Sequence, residues 1–358
     1  MNSIIFPFDS TPNLLPNSAL RWALAYYGTS QSVSASANSA VWANQDFKFG
    51  NNPYAATSSI AVANTGAKQP SNSAAVPSGY NSETVLAIYV LTAPASGVAK
   101  GPELYLFTHN FNSSFKALGV YSNLVTFKGE LLGATLAAAD VTQVGVQLFY
   151  ATTLIKPATA IGSEVLFDVS TSAWTTITQT FDISSALSAG ALTLGVRIRP
   201  TAVSSGNLSD QYSGFSLGLH QLNPGPRAGI WMPYGGSPVS DLNMVKTMYQ
   251  KSYFTDGNPG TDAQNGMLEL PSNTSASSQY ISGHIVFTPE MVATPALTFY
   301  DYVGNSGRNS GYTSGGLVRS DDLNQIWGTL IGRAHAVVRI DCPGTYFSAV
   351  HWTADARP

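Results

Sequence analysis

Hydrophobic and polar residues alternate along most of the chain, and a period of two is typical of β-strands with one buried face. The segment 192–199 is the clearest case, because leucine, valine and isoleucine fill every second position and Arg197 and Arg199 fall between them. Strand geometry therefore predicts that both arginines lie on the solvent-facing side of a strand. The same pattern predicts further strands over 84–91, 103–107, 144–150, 165–169, 176–183, 215–219, 281–287, 296–302 and 336–341.

Clusters of Gly, Pro, Asn and Ser separate these strands, and helical periodicity is clear in one place. After Ser240, the predicted N-cap, apolar residues recur at helical spacing: Leu242, Val245, Met248 and Tyr249. The Asn-Pro-Gly-Pro run at 223–226 cannot continue a central strand, so it marks a domain boundary. Short strands between turn residues, without a long internal repeat, predict an all-β fold. We expect a jelly-roll β-sandwich, then a short helix, then a second, smaller β-sandwich.

Composition narrows the classes of function. Of the 358 residues, 10% are charged and 44% are hydrophobic, and the formal net charge is −3. There is no cluster of Lys and Arg, so no nucleic-acid partner is predicted. The apolar runs are shorter than the roughly 20 residues of a membrane-spanning helix, so no membrane insertion is predicted. The single cysteine, Cys342, excludes a disulfide within one chain.

Several motifs along the chain carry a resemblance to a known class of proteins. The run Asn13-Leu14-Leu15-Pro16-Asn17-Ser18 is similar to the opening of the carbohydrate-binding-module-like jelly rolls of phage tail proteins, and 174–183 and 219–226 resemble two of its later strands. The segment 233–253 is similar to the link between that jelly roll and the C-terminal domain of the family. The segment 287–298 resembles the hallmark of that C-terminal domain, and 352–356 resembles its last strand.

The resemblance to bacteriophage tail fibre and receptor-binding proteins covers most of the chain and implies its domain organisation. We expect an N-terminal attachment arm over 1–16, the jelly roll over 17–224, a linker with a short helix over 225–252 and a C-terminal fibre-tip β-sandwich over 253–358. The arm is expected to bind other phage tail or virion proteins. Trimers are common in the family, and a charge-poor surface favours burial against identical copies, so a homotrimer is expected.

The implied function is that of a non-enzymatic virion structural protein. The first interpretation is a tail fibre tip or receptor-binding protein that contacts host surface glycans, assembled in the bacterial cytoplasm and carried on the surface of the phage particle. The alternative is a head-surface, collar or baseplate fibre or decoration protein without a receptor role. A polysaccharide depolymerase is a third interpretation, and the lack of a repetitive β-helix argues against it.

The catalytic and metal-binding motifs are better explained by structure. Residues 214–218 match G-x-S-x-G, but the alternation of Phe215 and Leu217 continues through them, so we predict a strand in which Ser216 is not a nucleophile. The segment 256–262 begins like a calcium loop but does not continue as one, and a β-turn loop explains it. Asp321-Asp322 is predicted to be a solvated turn or helix cap. No catalytic residue, cofactor or metal site is predicted.

The candidate binding residues surround a Gly-rich stretch. Residues 304–316 are rich in Gly, Asn and Ser and are predicted to form a flexible polar loop between two C-terminal strands. Aromatic faces pack on the C–H surfaces of sugars, and polar side chains bind their hydroxyls. The candidate ligand-binding residues are therefore Tyr302, Arg308, Tyr312 and Trp327. An ordinary surface loop beside core aromatics is the alternative interpretation.

Overall fold

The computed structural model of the protein describes residues 13–16, 30–33, 39–42, 48–52, 59–65, 85–92, 101–108, 122–133, 141–153, 158–201, 214–254, 258–263, 265–271, 280–313, 316–319, 326–341 and 347–357. These residues form two compact units, and the division falls between Leu242 and Asn243. Strands dominate the described structure and its helices are short, so the predicted all-β fold is confirmed.

The first unit is a sandwich of two antiparallel sheets, each with six described strands. In chain order its strands are β1 (Ser30–Val33), β2 (Ser39–Trp42), β3 (Lys48–Asn52), β4 (Ser59–Thr65), β5 (Val85–Thr92), β6 (Glu103–Phe107), β7 (Leu124–Leu132), β8 (Gln143–Ala151), β9 (Thr159–Asp168), β10 (Thr175–Asp182), β11 (Thr193–Pro200) and β12 (Gly214–Pro224). The first sheet has the order β1-β4-β5-β12-β7-β10, and the second has the order β2-β3-β6-β11-β8-β9. Most neighbours in space are therefore distant in sequence, as in jelly-roll sandwiches.

The core of the sandwich follows the alternation in the sequence. On β11, Leu194, Val196 and Ile198 are fully buried. The first sheet contributes Phe127 and Phe215 to the same hydrophobic cluster. Burial of one such side chain stabilises the fold by about 1.5–3 kcal/mol relative to exposure, so the two sheets are held together mainly by these alternate positions.

Residues 13–16 join this sandwich. Leu14 and Leu15 are buried in its core, and the Leu14 N–H donates to the Leu222 carbonyl at 2.8 Å. The Asn13 side chain is also buried, and its Oδ1 accepts the Leu222 N–H at 3.0 Å. The described end of the predicted N-terminal arm is therefore part of the core. Burial of two leucine side chains is more favourable than their exposure in an extended arm.

The helices among the described residues are α1 (Ser184–Ser188), which was not predicted, and α2 (Pro238–Lys246), which was predicted in part, since Met248 and Tyr249 lie beyond its end. The N-cap of α2 is Ser237 rather than the predicted Ser240, because the Ser237 hydroxyl accepts the Ser240 N–H at 3.1 Å. Pro238 then occupies the first helical position, where its missing N–H costs nothing. Within the described residues, no helix combines the length and the apolar character that crossing a membrane requires.

The second unit is built around one long strand. Its strands are β13 (Tyr249–Lys251), β14 (Leu268–Pro271), β15 (Tyr280–Val286), β16 (Ala296–Tyr300), β17 (Ser310–Thr313), β18 (Gly316–Arg319), β19 (Ile326–Thr329), β20 (His335–Asp341) and β21 (Phe347–Asp355). The first half of β21 pairs with β14 and β17, and its second half pairs with β13 and β16. Strands β15, β20 and β19 form a separate sheet in that order. Because β21 joins four strands, it positions the loops that follow β13 and β16.

Candidate functional site

Two loops of the second unit lie side by side and contain two of the predicted site residues, Tyr302 and Arg308. The loops span 258–263 and 301–309, and together they are named the double loop. The Ala263 N–H donates to the Tyr302 carbonyl at 2.8 Å. Gly304 packs so closely on Gly260 that a Cβ at Gly304 would lie 2.2 Å from the Gly260 carbonyl oxygen. The loops therefore touch backbone to backbone, which leaves no space for a side chain between them.

Asp301 organises the second loop from inside. Its carboxylate is fully buried, and Oδ1 accepts the N–H groups of Val303 at 3.1 Å and Asn305 at 2.8 Å. Its Oδ2 accepts the Asn305 side-chain amide at 2.8 Å. The Ser310 hydroxyl accepts the Tyr302 N–H at 2.8 Å. Hydrogen bonds from several donors to one buried carboxylate hold the turn in a single conformation.

The prediction of a flexible loop over 304–316 is therefore wrong in part. Residues 301–309 form the ordered turn, and β17 begins at Ser310. Asn309 and Ser310 are buried, and the Asn309 side-chain amide donates to the Ser348 hydroxyl at 3.3 Å. Gly304 is required here by the close approach of two backbones, whereas Gly307 has a positive φ of 73° and open space around it.

The structure brings only some of the predicted site residues together. Tyr302 and Arg308 are half-buried and lie in one turn. Tyr312 lies in β17, where its backbone pairs with Phe347. Trp327 lies in β19, which belongs to the three-stranded sheet. Tyr302 and Arg308 are therefore the pair on which a site in the double loop is built.

A buried imidazole supports the first loop. His351 on β21 is fully buried, and its Nε2 lies 2.9 Å from the Ala263 carbonyl oxygen. Tyr253 stacks on the imidazole, with ring centroids 3.9 Å apart and ring planes 15° apart. The Tyr253 hydroxyl accepts the Gly260 N–H at 3.2 Å. The stacked pair thus holds the first loop at two backbone groups.

These contacts determine the protonation of both rings. Since a carbonyl oxygen can only accept, Nε2 of His351 carries a proton. Nδ1 lies 3.0 Å from the Ser252 hydroxyl. Burial lowers the pKa of His351, and the hydrogen bond to the Ala263 carbonyl opposes this shift. Burial also raises the pKa of Tyr253 to about 12. Both rings are therefore neutral at neutral pH, and Nδ1 of His351 accepts the hydroxyl proton.

Ser252 and His351 have the separation of a nucleophile–base pair but not its arrangement. Nucleophilic catalysis needs an accessible hydroxyl and a base that can pass the proton on. Here the imidazole is fully buried, and its second nitrogen is bonded to a backbone carbonyl. The Ser252 hydroxyl also accepts the Trp352 N–H at 2.9 Å. This pair stabilises the loop and does not activate the serine.

The sequence analysis missed a polar cluster on the second sheet of the sandwich. Arg197 and Arg199 are paired with Glu103 on β6 and Glu164 on β9, with N–O distances from 2.6 to 3.2 Å. The four side chains are only 9 to 13% exposed. The prediction that both arginines face solvent is wrong, because carboxylates from other strands reach them and compensate their charge.

Aromatic and amide groups complete this Arg–Glu cluster. The Arg197 guanidinium carbon lies 4.7 Å from the centroid of the Phe149 ring, and its Nη2 donates to Gln147 Oε1 at 2.7 Å. The Tyr105 hydroxyl donates to Glu103 at 3.2 Å. Burial, reinforced by the Glu103 charge, raises the pKa of Tyr105 to about 12. Two cations balance two anions, so the polar groups of the cluster largely satisfy one another.

The remaining motifs have structural explanations where they are described. Ser216 lies inside β12 and is 1% exposed, so the predicted strand is confirmed. In the calcium-like segment, the Thr261 hydroxyl donates to the Asn258 carbonyl at 2.7 Å, which closes a turn. Asp321-Asp322 lies outside the described residues. No group of three or more His, Cys, Asp or Glu side chains in the described part of the chain is arranged to hold a metal ion.

Comparisons with known proteins find remote structural likenesses. No protein-family model and no curated protein matches the chain. The chain is similar to the CBM22-1 xylan-binding domain of Paenibacillus barcinonensis Xyn10C, with 10% identity, 55% of this chain and 95% of that chain covered, and a TM-score of 0.30. For the tandem CBM22-1-CBM22-2 domain of the same protein, identity is 14%, 84% of each chain is covered and the TM-score is 0.28. For discoidin II of Dictyostelium discoideum, the values are 10%, 82% and 93%, and 0.19.

At these identities and TM-scores, the likenesses carry no argument about this chain. The β-sandwich architecture rests on the chain's own two sheets and their shared core. None of the three structures is named as a phage protein, so the phage resemblance stays a prediction.

Proposed function

We propose that the protein is a non-enzymatic structural protein of a bacteriophage virion, located at a tail fibre tip, that binds host surface glycans through the double loop. The observation that carries the binding role is that Tyr302 and Arg308 share one turn held by Asp301. The phage role is supported by the sequence motifs over 13–18, 233–253 and 287–298.

The double loop has the chemistry that sugars require. Thr261, Asp262 and Ser306 are exposed, and Tyr302 and Arg308 are half-buried. Aromatic rings bind the C–H faces of sugars, and hydroxyl, carboxylate and guanidinium groups bind their hydroxyls, and the double loop contains all of these groups. Because the backbone is already fixed by hydrogen bonds, binding requires little additional ordering, which favours affinity.

A single loop of this size binds weakly, so the proposal includes a homotrimer. One aromatic contact contributes about 0.5–1.5 kcal/mol beyond the area it buries. Three identical tips raise the overall affinity by avidity, commonly by a factor of about 10²–10⁴. Light scattering is expected to give about three times the chain mass of 37.7 kDa, and a stable monomer would contradict this part of the proposal.

Attachment is assigned to the N-terminal arm. The predicted arm spans 1–16, but Leu14 and Leu15 at its end are buried in the sandwich core, so we assign attachment to the residues before Asn13. We expect these residues to bind other tail or virion proteins after synthesis in the host cytoplasm. Locating the chain in a density map of the virion tests this position, and density on the head or collar would contradict it.

A second function is favoured by the Arg–Glu cluster of the jelly roll. Its polar groups are largely satisfied by one another, which suits a scaffold more than a ligand platform. A head, collar or baseplate fibre without a receptor role needs a stable scaffold of this kind and no ligand-binding surface. A depolymerase is the least supported function, since His351 is fully buried and bonded to the Ala263 carbonyl and so cannot activate Ser252.

The binding role is tested with the double variant Tyr302→Ala and Arg308→Ala. Binding to host cells, and to their isolated surface polysaccharide, is expected to fall at least tenfold, because both contacts to the sugar are removed. The matched control is Arg339→Ala, which removes an exposed arginine from the three-stranded sheet and is expected to leave binding unchanged.

Two further results decide between the functions. Unchanged binding by the correctly folded double variant contradicts a site in the double loop. Absence of binding by the parent protein favours the scaffold function. Shortened polysaccharide chains after incubation with the parent protein would establish the depolymerase instead.

A further inference from the structure

The contacts of the double loop converge on one side chain, His351. Its Nε2 donates to the Ala263 carbonyl at 2.9 Å, and the Ala263 N–H donates in turn to the Tyr302 carbonyl at 2.8 Å. The chain of contacts therefore runs from β21 through the first loop to the backbone of the candidate sugar-binding tyrosine.

A second route reaches the same loop through Tyr253. The tyrosine ring stacks on His351, and its hydroxyl accepts the Gly260 N–H at 3.2 Å. Gly260 is the residue against which Gly304 of the second loop packs. The imidazole thus supports both points at which the two loops touch, one through a hydrogen bond and the other through a stacked ring.

The position of His351 in the fold makes this support rigid. The residue lies where β21 passes from its first pair of partners to its second, and its backbone pairs with Tyr300 at the end of β16. Ser252, which follows β13, holds the other ring nitrogen at 3.0 Å. The ring is therefore held by the strand backbone and by Ser252, independently of its contact with the loop.

We propose that His351 is the positioning residue of the glycan site, and that its neutral imidazole sets the placement of Tyr302 through Ala263. This inference rests on the proposed function for its ligand, but the positioning itself does not depend on any ligand. His351 does not touch the sugar and acts only through the backbone of the double loop.

The test compares three substitutions that separate ring shape from hydrogen bonding. His351→Phe keeps a stacked ring and loses both polar contacts. His351→Gln places an amide donor near the position of Nε2, within reach of the Ala263 carbonyl. His351→Asn has a shorter side chain, which reaches the Ser252 side but not Ala263. Ile285→Val, a buried change in the three-stranded sheet, is the control for general loss of stability.

Two measurements are made on each full-length variant: amide hydrogen exchange at Gly260 and Ala263, and binding to host polysaccharide. In His351→Phe and His351→Asn we expect exchange at these two amides to be at least tenfold faster and binding at least fivefold weaker. We expect His351→Gln to recover most of both. Ile285→Val is expected to lower the melting temperature and leave both measurements near the parent values.

Three outcomes have a definite meaning. Unchanged exchange at Gly260 and Ala263 in His351→Phe overturns the proposal. The proposal is also overturned if the Gln and Phe substitutions change exchange and binding equally, and these changes follow the loss in melting temperature. The histidine would then contribute only to the stability of the core. Faster local exchange with no polysaccharide binding by the parent supports the positioning role and contradicts the proposed function.

If His351→Phe does not fold, Tyr253→Phe tests the second route. This substitution keeps the stacked ring and removes only the hydroxyl that accepts the Gly260 N–H. We expect faster exchange at Gly260 but not at Ala263. Parent-like exchange at Gly260 would contradict the role of the stacked pair.

Discussion

The Arg–Glu cluster of the jelly roll and the double loop of the second unit satisfy their polar groups in opposite ways. In the cluster, Arg197 and Arg199 are compensated by the side chains of Glu103 and Glu164. In the double loop, buried groups such as Asp301 are hydrogen-bonded to the backbone. Side chains therefore compensate mainly other side chains in the first region and fix mainly the backbone in the second.

This difference determines which region is suited to binding. A network of paired side chains has little hydrogen-bonding capacity left, and a ligand that entered it would have to break ion pairs at low exposure. In the double loop, by contrast, the side chains of Thr261, Asp262 and Ser306 are exposed at the surface. Hence the more conspicuous charged region is the weaker candidate for a site, and the Gly-rich region is the stronger one.

The largest expected effect is on the Arg–Glu cluster. Glu164→Ala removes a carboxylate whose oxygens lie 2.6 and 3.0 Å from Arg199 nitrogens, and it leaves two arginines with one glutamate. Because Glu103 compensates only one of the two buried positive charges, we expect the free energy of unfolding of the first unit to fall by about 3 kcal/mol. This change is measured by urea unfolding, with amide exchange in β11 as the readout for the first unit.

The control for that experiment is an exposed pair of the same type. Glu290 and Arg333 lie 3.2 Å apart in the second unit, and both side chains are more than half exposed. Glu290→Ala is expected to change stability by about 0.5 kcal/mol or less, since solvent screens the pair. If Glu164→Ala costs no more than Glu290→Ala, the cluster is not a structural network and the comparison between the two regions fails.

The next effect is on the contact inside the double loop. Gly304 has a φ of +94°, and a Cβ at this position would lie 2.2 Å from the Gly260 carbonyl oxygen. Gly304→Ala therefore forces the loops apart, and we expect the second unit to lose about 2 kcal/mol of stability. Binding to host polysaccharide is expected to fall together with protection of the Ala263 amide.

Gly307→Ala is the matched control for the glycine substitution. Its φ is also positive, at +73°, but a Cβ there would meet nothing within 4 Å. We expect only the conformational cost of about 1 kcal/mol and an unchanged contact between the loops. Equal effects of the two substitutions would show that backbone conformation, rather than close packing, explains the glycine enrichment.

The sequence predicted the strands with clear hydrophobic alternation, and it missed most of the short ones: β1 to β4, β13, β14 and β17 to β19 were not predicted. The strand predicted over 103–107 matches β6, and the strands predicted over 84–91 and 336–341 are found with ends shifted by one residue. β7 was missed because Lys128, Gly129 and Glu130 interrupt its hydrophobic alternation. β9 was predicted only over 165–169, because a register shift between β8 and β9 breaks the period of two.

The sites depend on pairings that no local pattern reveals. Arg197 and Glu103 are 94 residues apart, so their contact requires the register of β6 and β11. His351 and Ala263 are 88 residues apart and meet because β21 joins both halves of the second unit. The composition of the sequence indicated the region of Tyr302 and Arg308 as a candidate. The buried groups that fix this region, Asp301 and His351, could be identified only from the strand topology of the second unit.

The smallest effect is a dependence of stability on pH that comes from His351, the residue that supports the double loop. Burial lowers the pKa of this histidine below the value of about 6.5 that it has in an unfolded chain. Above about pH 6.5 the histidine is neutral in both states, so its full contribution to stability is present. As the pH falls below that value, the unfolded chain takes up a proton before the folded one does, and stability is lost until the lowered pKa is passed.

We expect the free energy of unfolding of the second unit, measured by amide exchange in β21, to decrease between about pH 6.5 and pH 5. The decrease should be smaller in His351→Phe, which has no titrating group there. An equal decrease in the parent and in His351→Phe would assign the pH dependence to other residues and weaken the view that the neutral imidazole holds the loop.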